Sequence, residues 1–273
     1  MIIKNALLYA LGFVFLLHTP SELPASAPHI PNPSIQLDSN LKSLGVPQEI
    51  ISLMATDQKA TVIQNNGKVA TAAISTFGQD GHLLQTNVFH PGGTTKQRTQ
   101  QDGSSHKNAR APSMRVAVVS YHTAGNPTEG TERRLVELSY VWDQVPSKRG
   151  FDPIAFSWGS GFKPVANTLI HKDYYRNSAG IDKVYHSDSA ASDISPSGIA
   201  WDARLYQQET SQLKGYGSVA IERTDRKTAA PEDLYSSYVH TWGEGNINIS
   251  LDTRAAFTGS KPHSIRTVDH VTY

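Results

Sequence analysis

The residues best suited to chemistry in this chain are aromatic and acidic neighbours. Trp142, Trp158, Trp201 and Trp242 each fall in an alternating apolar stretch, in company with Tyr140, Tyr238 and Phe156. An aromatic face held on a rigid sheet can stack on the apolar face of a sugar ring. Each such ring also buries 150 Å² or so when it packs in a core, so core packing is the competing role. Trp242 stands apart because Gly243-Glu244-Gly245 follows it at a strand end, and His240 and Tyr238 share its face. Trp242, His240 and Tyr238 are therefore the expected ligand-binding residues. Asp143 follows Trp142, Asp202 follows Trp201, and Glu244 sits two residues after Trp242. Glycoside hydrolysis uses two carboxylates roughly 5 to 9.5 Å apart, and two of these three could supply such a pair. Each is equally the outward residue of an alternating strand, so no catalytic residue is assigned from the sequence.

Metal ligation has weaker support. His186-Ser187-Asp188-Ser189 leads to Asp193 in a Ser- and Ala-rich stretch. Oxygens at such spacing could hold Ca²⁺, which takes roughly 6–8 oxygen ligands, with Asp188 and Asp193 as the candidates. The alternating Asp-x-Asp-x-Asp pattern and its turn glycine are missing, and a solvated loop is the simpler reading. No metal is expected, and calcium is the one cofactor worth testing. The chain has eleven histidines. His122, His171, His186, His240, His263 and His270 are spread singly, without the spacing of a metal site. Neither a Gly-x-Ser-x-Gly elbow, a phosphate-binding loop, a His-Glu-x-x-His motif nor a cysteine-based site is present.

Positioning these side chains falls to a mainly β body. Residues 28–67 divide into a proline-rich extended lead-in, 28–38, and short helices after it. Gly45 stops the helix bearing Leu41 and Leu44, and Pro47 opens the next, which carries Ile50, Ile51 and Met54. Thr56 or Asp57 caps a third helix through Val62 and Ile63, ended by Asn65-Asn66-Gly67. From Lys68 the apolar period changes to two. Residues 68–113 hold two strands, Val69 to Phe77 and Leu83 to Phe89, followed by a polar flexible loop. That loop, 91–113, contains no large aliphatic or aromatic side chain and cannot bury enough to order itself. The basic residues Lys96, Arg98, Lys107, Arg110 and Arg115 in and beside it outweigh Asp102, a pattern that serves as a basic tether or simply as a soluble loop.

Residues 114–273 alternate most clearly, in runs at Met114–Tyr121, Val136–Trp142, Ile154–Trp158, Ile199–Leu205, Val219–Ile221, Tyr238–Trp242 and Ile247–Leu251. One buried and one wet face per strand is the signature of antiparallel sheets packed on each other. The expected fold is an antiparallel β-sandwich of jelly-roll type preceded by a small helical segment. A partly closed β-barrel is the alternative.

The N-terminus reads as a leader. Lys4 supplies a positive n-region, Ala6 to Leu17 form a 12-residue apolar run, and Ala25-Ser26-Ala27 offers the small residues a signal peptidase admits. A run of that length falls short of the roughly 20 residues needed to span a bilayer. Residues 1–27 are thus expected to be a signal peptide, the protein to be secreted and extracellular, and no integral membrane segment to remain after cleavage. A chain without cysteine suits a bacterial exported protein that stands on its core and not on disulfides. The formal net charge of +1 argues against nucleic-acid partners, which call for a concentrated basic footprint.

Three function classes follow. The first is a secreted binding or surface-interaction protein contacting glycan or cell-envelope polymer. The second is a secreted glycoside or cell-wall hydrolase using two of Asp143, Asp202 and Glu244. The third is a toxin-like membrane-active β protein.

Overall fold

The period-two alternation becomes two facing antiparallel sheets in the computed structural model. It describes residues 33–78, 83–90, 95–98, 112–124, 132–158, 161–224, 233–241, 248–251, 256–258, 264–266 and 269–272. Three helices come first: α1 (Pro33–Ser43), α2 (Gln48–Ile51) and α3 (Thr56–Gln64). Residues 33–38 were expected to be extended. They are helical, because proline's fixed φ suits a first helical turn. Gly45 stops α1 as expected, with φ of +85°, a conformation that disfavours any Cβ. The Val46 amide then closes on the Leu41 carbonyl at 3.0 Å.

Strands follow in the order β1 (Lys68–Gly78), β2 (Leu83–Phe89), β3 (Thr95–Arg98), β4 (Pro112–Thr123), β5 (Arg133–Trp142), β6 (Phe151–Ser157), β7 (Phe162–Pro164) and β8 (Ile170–Arg176). They continue as β9 (Asp182–Asp188), β10 (Asp193–Ser195), β11 (Gly198–Arg204), β12 (Leu213–Arg223), β13 (Asp233–Thr241), β14 (Asn248–Ser250), β15 (Ala256–Thr258), β16 (Ser264–Arg266) and β17 (Asp269–Thr272). The first sheet runs β3-β2-β1-β4-β5-β12-β8-β9, with β7 also on β12; the second runs β10-β11-β6-β13-β16, with β17 also on β13. Strands β14 and β15 pair separately. No pairing closes β3 onto β9 among the described residues, so the body is a sandwich and not a barrel. Among those residues, no helix is long and apolar enough to cross a membrane.

Strands form in two stretches that were expected to be loop. Thr95–Arg98, inside the polar segment expected to be a loop, pairs with β2 as β3. Backbone pairing asks for no apolar side chain, so composition alone does not forbid it. His186 to Asp188, also expected to be loop, belongs to β9 and pairs with β8. The pairing of β1 with β4 places the strands before and after the polar segment in one sheet.

Between the sheets, Met114, Val116, Val136 and Leu138 of the first meet Ile154, Phe156, Ile199 and Trp201 of the second in one apolar core. The other face of the first sheet is covered as well. Ala72, Ile74, Val119 and Leu135 pack against Leu41, Ile50, Ile51 and Val62 of the helical segment. Strand β5 is accordingly buried along all but its first residue, where one wet face per strand was expected. The helices supply the second cover.

That helical layer is pinned by polar groups. The Gln58 side-chain amide donates to Glu137 Oε2 at 3.0 Å and to Ser139 Oγ at 2.7 Å, both on β5. Asp57 accepts from Lys172 Nζ and from the Tyr174 hydroxyl of β8, each at 2.5 Å. Burial raises the Asp57 carboxyl, but Lys172 and Tyr174 outweigh it and hold the group below its ordinary value. Glu137 behaves oppositely. Burial pushes its carboxyl up to about 8, against the hydrogen bonds of Gln58, Ser218 and Tyr121.

A carboxyl raised from 4.5 to about 8 by folding contributes stability that is complete below the unfolded value and lost as pH rises through the folded one. Denaturant unfolding between pH 5 and 8 should therefore show wild type losing on the order of 2–4 kcal/mol that the Glu137→Gln variant keeps. Parallel curves for the two proteins would contradict this.

Candidate functional site

Strand β8 has two polar faces. Lys172 and Tyr174 point to the helices, as their bonds to Asp57 show. His171 and Asp173 point between the sheets and are essentially fully buried, at 1% and 0% exposure. Polar residues on the inward face erase the apolar alternation, and this is why no strand was legible here.

The strand pairings set Tyr140 of β5, Gly215 of β12, Asp173 of β8 and His186 of β9 in one row across the first sheet. Gly215 leaves a gap that the Tyr140 ring fills; a Cβ there would lie 2.6 Å from ring atoms of Tyr140. The phenol crosses β12 through that gap and donates to Asp173 Oδ1 at 2.7 Å. Gly217 does the same for the second sheet, since a Cβ there would stand 3.0 Å from the Trp201 indole.

Asp173 gathers its bonds from both sheets. Its Oδ2 accepts from the Arg204 backbone amide of β11 at 2.9 Å and faces His186 Nδ1 at 3.0 Å. His171 Nε2 lies 2.9 Å from Asp173 Oδ1, yet off the hydrogen-bonding direction, so this buried nitrogen has no hydrogen-bond partner among the described residues. A buried carboxylate is tolerated only when its oxygens are satisfied, and here the Tyr140 hydroxyl of β5 and the Arg204 amide of β11 donate to them while His186 of β9 faces Oδ2.

A second buried carboxyl extends the chain inward. Asp152 of β6 accepts a short bond from the Tyr238 hydroxyl and faces His240 Nδ1 at 2.9 Å. Trp142 Nε1 donates across the sheets to the Tyr238 oxygen at 2.9 Å. The Tyr140 and Tyr238 rings meet with centroids 5.2 Å apart, joining the Asp173 and Asp152 limbs. Burial raises the Asp152 carboxyl; His240 and Tyr238 pull it back, and Asp173 adds to the rise.

The Asp173 end opens outward. His171, His186, Asp188, Trp201, Asp202 and Arg204 line a pocket of about 120 Å³, with Phe151 at its rim. Phe151 is 63% exposed, and the Arg204 guanidinium lies over its ring at 5.6 Å. Trp201 Nε1, like His171 Nε2, is buried without a hydrogen-bond partner among the described residues. Among those residues, His171, Asp173 and His186 form the one group whose ligand atoms lie within 4.8 Å of one another.

Against the expected site, the structure sorts the residues as follows. Tyr238 and His240 lie in the core, in contact with Asp152, and present no surface to a ligand. Trp242 and Glu244 lie outside the described residues. Trp142, Trp158 and Trp201 are all buried. Asp202 does reach the pocket, but Asp143 does not. Asp143 forms a two-pronged ion pair with Arg115 at 2.6 and 2.7 Å. Asp188 lines the pocket and bonds the Ala190 amide, while Asp193 bonds the Ile194 amide beside it. In the sequence His171 stood as an isolated histidine, and nothing singled out Asp173. Their spacing, His-x-Asp on a strand with a His on the neighbouring strand, has meaning only once the pairing is known.

No protein-family model matches the chain, and no characterised protein matches it in sequence. Among solved structures, it is similar to the collagen binding domain of Erysipelothrix rhusiopathiae surface protein RspB. That similarity covers 74% of this chain and 77% of that one, at 9% identity and a TM-score of 0.29.

Because Gly215 admits the Tyr140 ring, Gly215→Ala should destabilise the protein by roughly 1–3 kcal/mol through overpacking. Gly150→Ala, where a Cβ meets nothing within 4 Å, should stay within about 0.5 kcal/mol of wild type. Urea midpoints compare the two, and equal midpoints would remove the close-approach argument.

Proposed function

We propose that the chain is an exported binding protein that engages a glycan or cell-envelope polymer at the mouth of the pocket between β8–β9 and β10–β11. The observation that carries this reading is Phe151. A largely exposed aromatic ring, topped by Arg204, stands at the rim of a pocket that also presents Asp188 and Asp202. Rings of this kind offer a flat apolar surface for a sugar face, and the carboxylates and guanidinium supply hydrogen bonds to hydroxyls. The leader-like N-terminus supports export, and the absence of cysteine agrees with it.

Binding is preferred over hydrolysis because of how the carboxylates are placed. Asp143 is committed to Arg115 and does not share the pocket with Asp202. Among the described residues, the carboxylates that line the pocket are Asp188 and Asp202.

Retention on insoluble peptidoglycan and on a glycan array tests the reading. Wild type should be retained, and Phe151→Ala should lose at least about fivefold of that retention, close to 1 kcal/mol. Ile35→Ala, which removes an exposed apolar residue on α1, should change nothing. No retention of wild type, or equal retention of Phe151→Ala, would defeat the proposal. Release of soluble sugar during the incubation would move the function to hydrolysis.

A further inference from the structure

The geometry points to a divalent transition-metal site of the zinc class, built from His171, Asp173 and His186 at the floor of the pocket. It does not rest on the glycan reading, since the three residues and their burial stand whatever occupies the pocket mouth.

Three observations carry it. First, the topology converges the donors. His171 and Asp173, two apart on β8, share its inward face, and the pairing of β8 with β9 sets His186 opposite Asp173. The ligand atoms of all three lie within 4.8 Å. Ligands held at about 2.0–2.2 Å from one ion stand roughly 3–4 Å from each other. The two nitrogen-to-carboxylate separations, 2.9 and 3.0 Å, sit at the short end of that range.

Second, His171 Nε2 is buried beside a carboxylate, yet bonds to nothing among the described residues. Such an orphaned nitrogen in a buried site is costly, and a cation between it and Asp173 removes the cost. Third, the surroundings fit a metal ligand. Asp173 is oriented by the Tyr140 hydroxyl and the Arg204 amide, the outer-shell support that ligating carboxylates receive.

Donor chemistry sets the class of ion. Two imidazoles and one carboxylate suit zinc, copper, iron or nickel, whereas calcium takes oxygen ligands almost alone. Three protein ligands leave at least one coordination position, and His171 and His186 line the same pocket as Asp188 and Asp202. An open position of this kind admits water or an oxygen of a bound ligand.

Isothermal titration of chelator-stripped full-length protein with Zn²⁺, repeated with Co²⁺ and Ca²⁺, tests the site. The expected result is one saturable equivalent of Zn²⁺ or Co²⁺, a raised melting temperature, and visible Co²⁺ absorption. Removing an outer-shell partner alone costs roughly 10–100-fold in metal affinity, so loss of a ligand should cost at least as much. His186→Ala is the primary variant because His186 is the least buried of the three. Its melting curve without metal checks that it folds, and His171→Gln serves as the second. His122→Ala, at a half-exposed histidine beside Glu132, should bind as wild type does. Absence of saturable Zn²⁺ and Co²⁺ binding would overturn the proposal. So would undiminished binding by His186→Ala and His171→Gln, or a stoichiometric site for Ca²⁺ that those substitutions abolish.

Discussion

The Asp173 carboxylate is the group on which the rest of the interior turns. It sits fully buried between two sheets, where a charge survives only with its oxygens occupied. Its partners come from three directions: the Tyr140 phenol donating across β12, the Arg204 amide donating from the second sheet, and His186 Nδ1 facing it from the edge strand. Meeting that demand dictates other residues. Gly215 must lack a side chain for Tyr140 to pass, and Gly217 must lack one for Trp201 to seat. The Arg204 bond also ties β11 to β8 directly, so the polar chain helps fix how the sheets face each other. Non-directional apolar contacts would leave that alignment less specified.

The same strand is held from behind. On its outer face Lys172 and Tyr174 grip Asp57 at the start of α3, and the helical layer is held again at Gln58 and Glu137. The helices are therefore part of the scaffold that keeps β8 still. The proposed site gains from such support, because side chains locked on strands lose little further freedom if a ligand arrives.

Much of the frame was legible in the sequence, and the site was not. Gly45 and Asn66 end helices where their conformational tolerance predicts. The runs holding Val136 to Trp142 and Ile199 to Leu205 became strands with those apolar residues inward. Trp142 and Trp201 lie in strands as expected and Trp158 falls just past the end of β6, yet burial, which competes with binding for any aromatic, took all three. Strands β8 and β9 escaped notice because His171 and Asp173 occupy positions where an apolar residue would have revealed a strand. A functional site placed in the core of a sandwich hides itself in this way, by breaking the pattern that exposes its neighbours. Glycines in the middle of β12 were the one available clue, since Gly inside a strand marks a close approach.

The central claim is that the Asp173 and Asp152 limbs are coupled through the packed rings of Tyr140 and Tyr238. A double-mutant cycle on Tyr140→Phe and Tyr238→Phe, followed by urea unfolding, measures that connection directly. Removing either hydroxyl strips a donor from one carboxyl, and the packed rings predict a coupling energy of about 0.5–3 kcal/mol between the two changes. Free energies that add to within roughly 0.3 kcal/mol would show two separate polar islands and contradict the account.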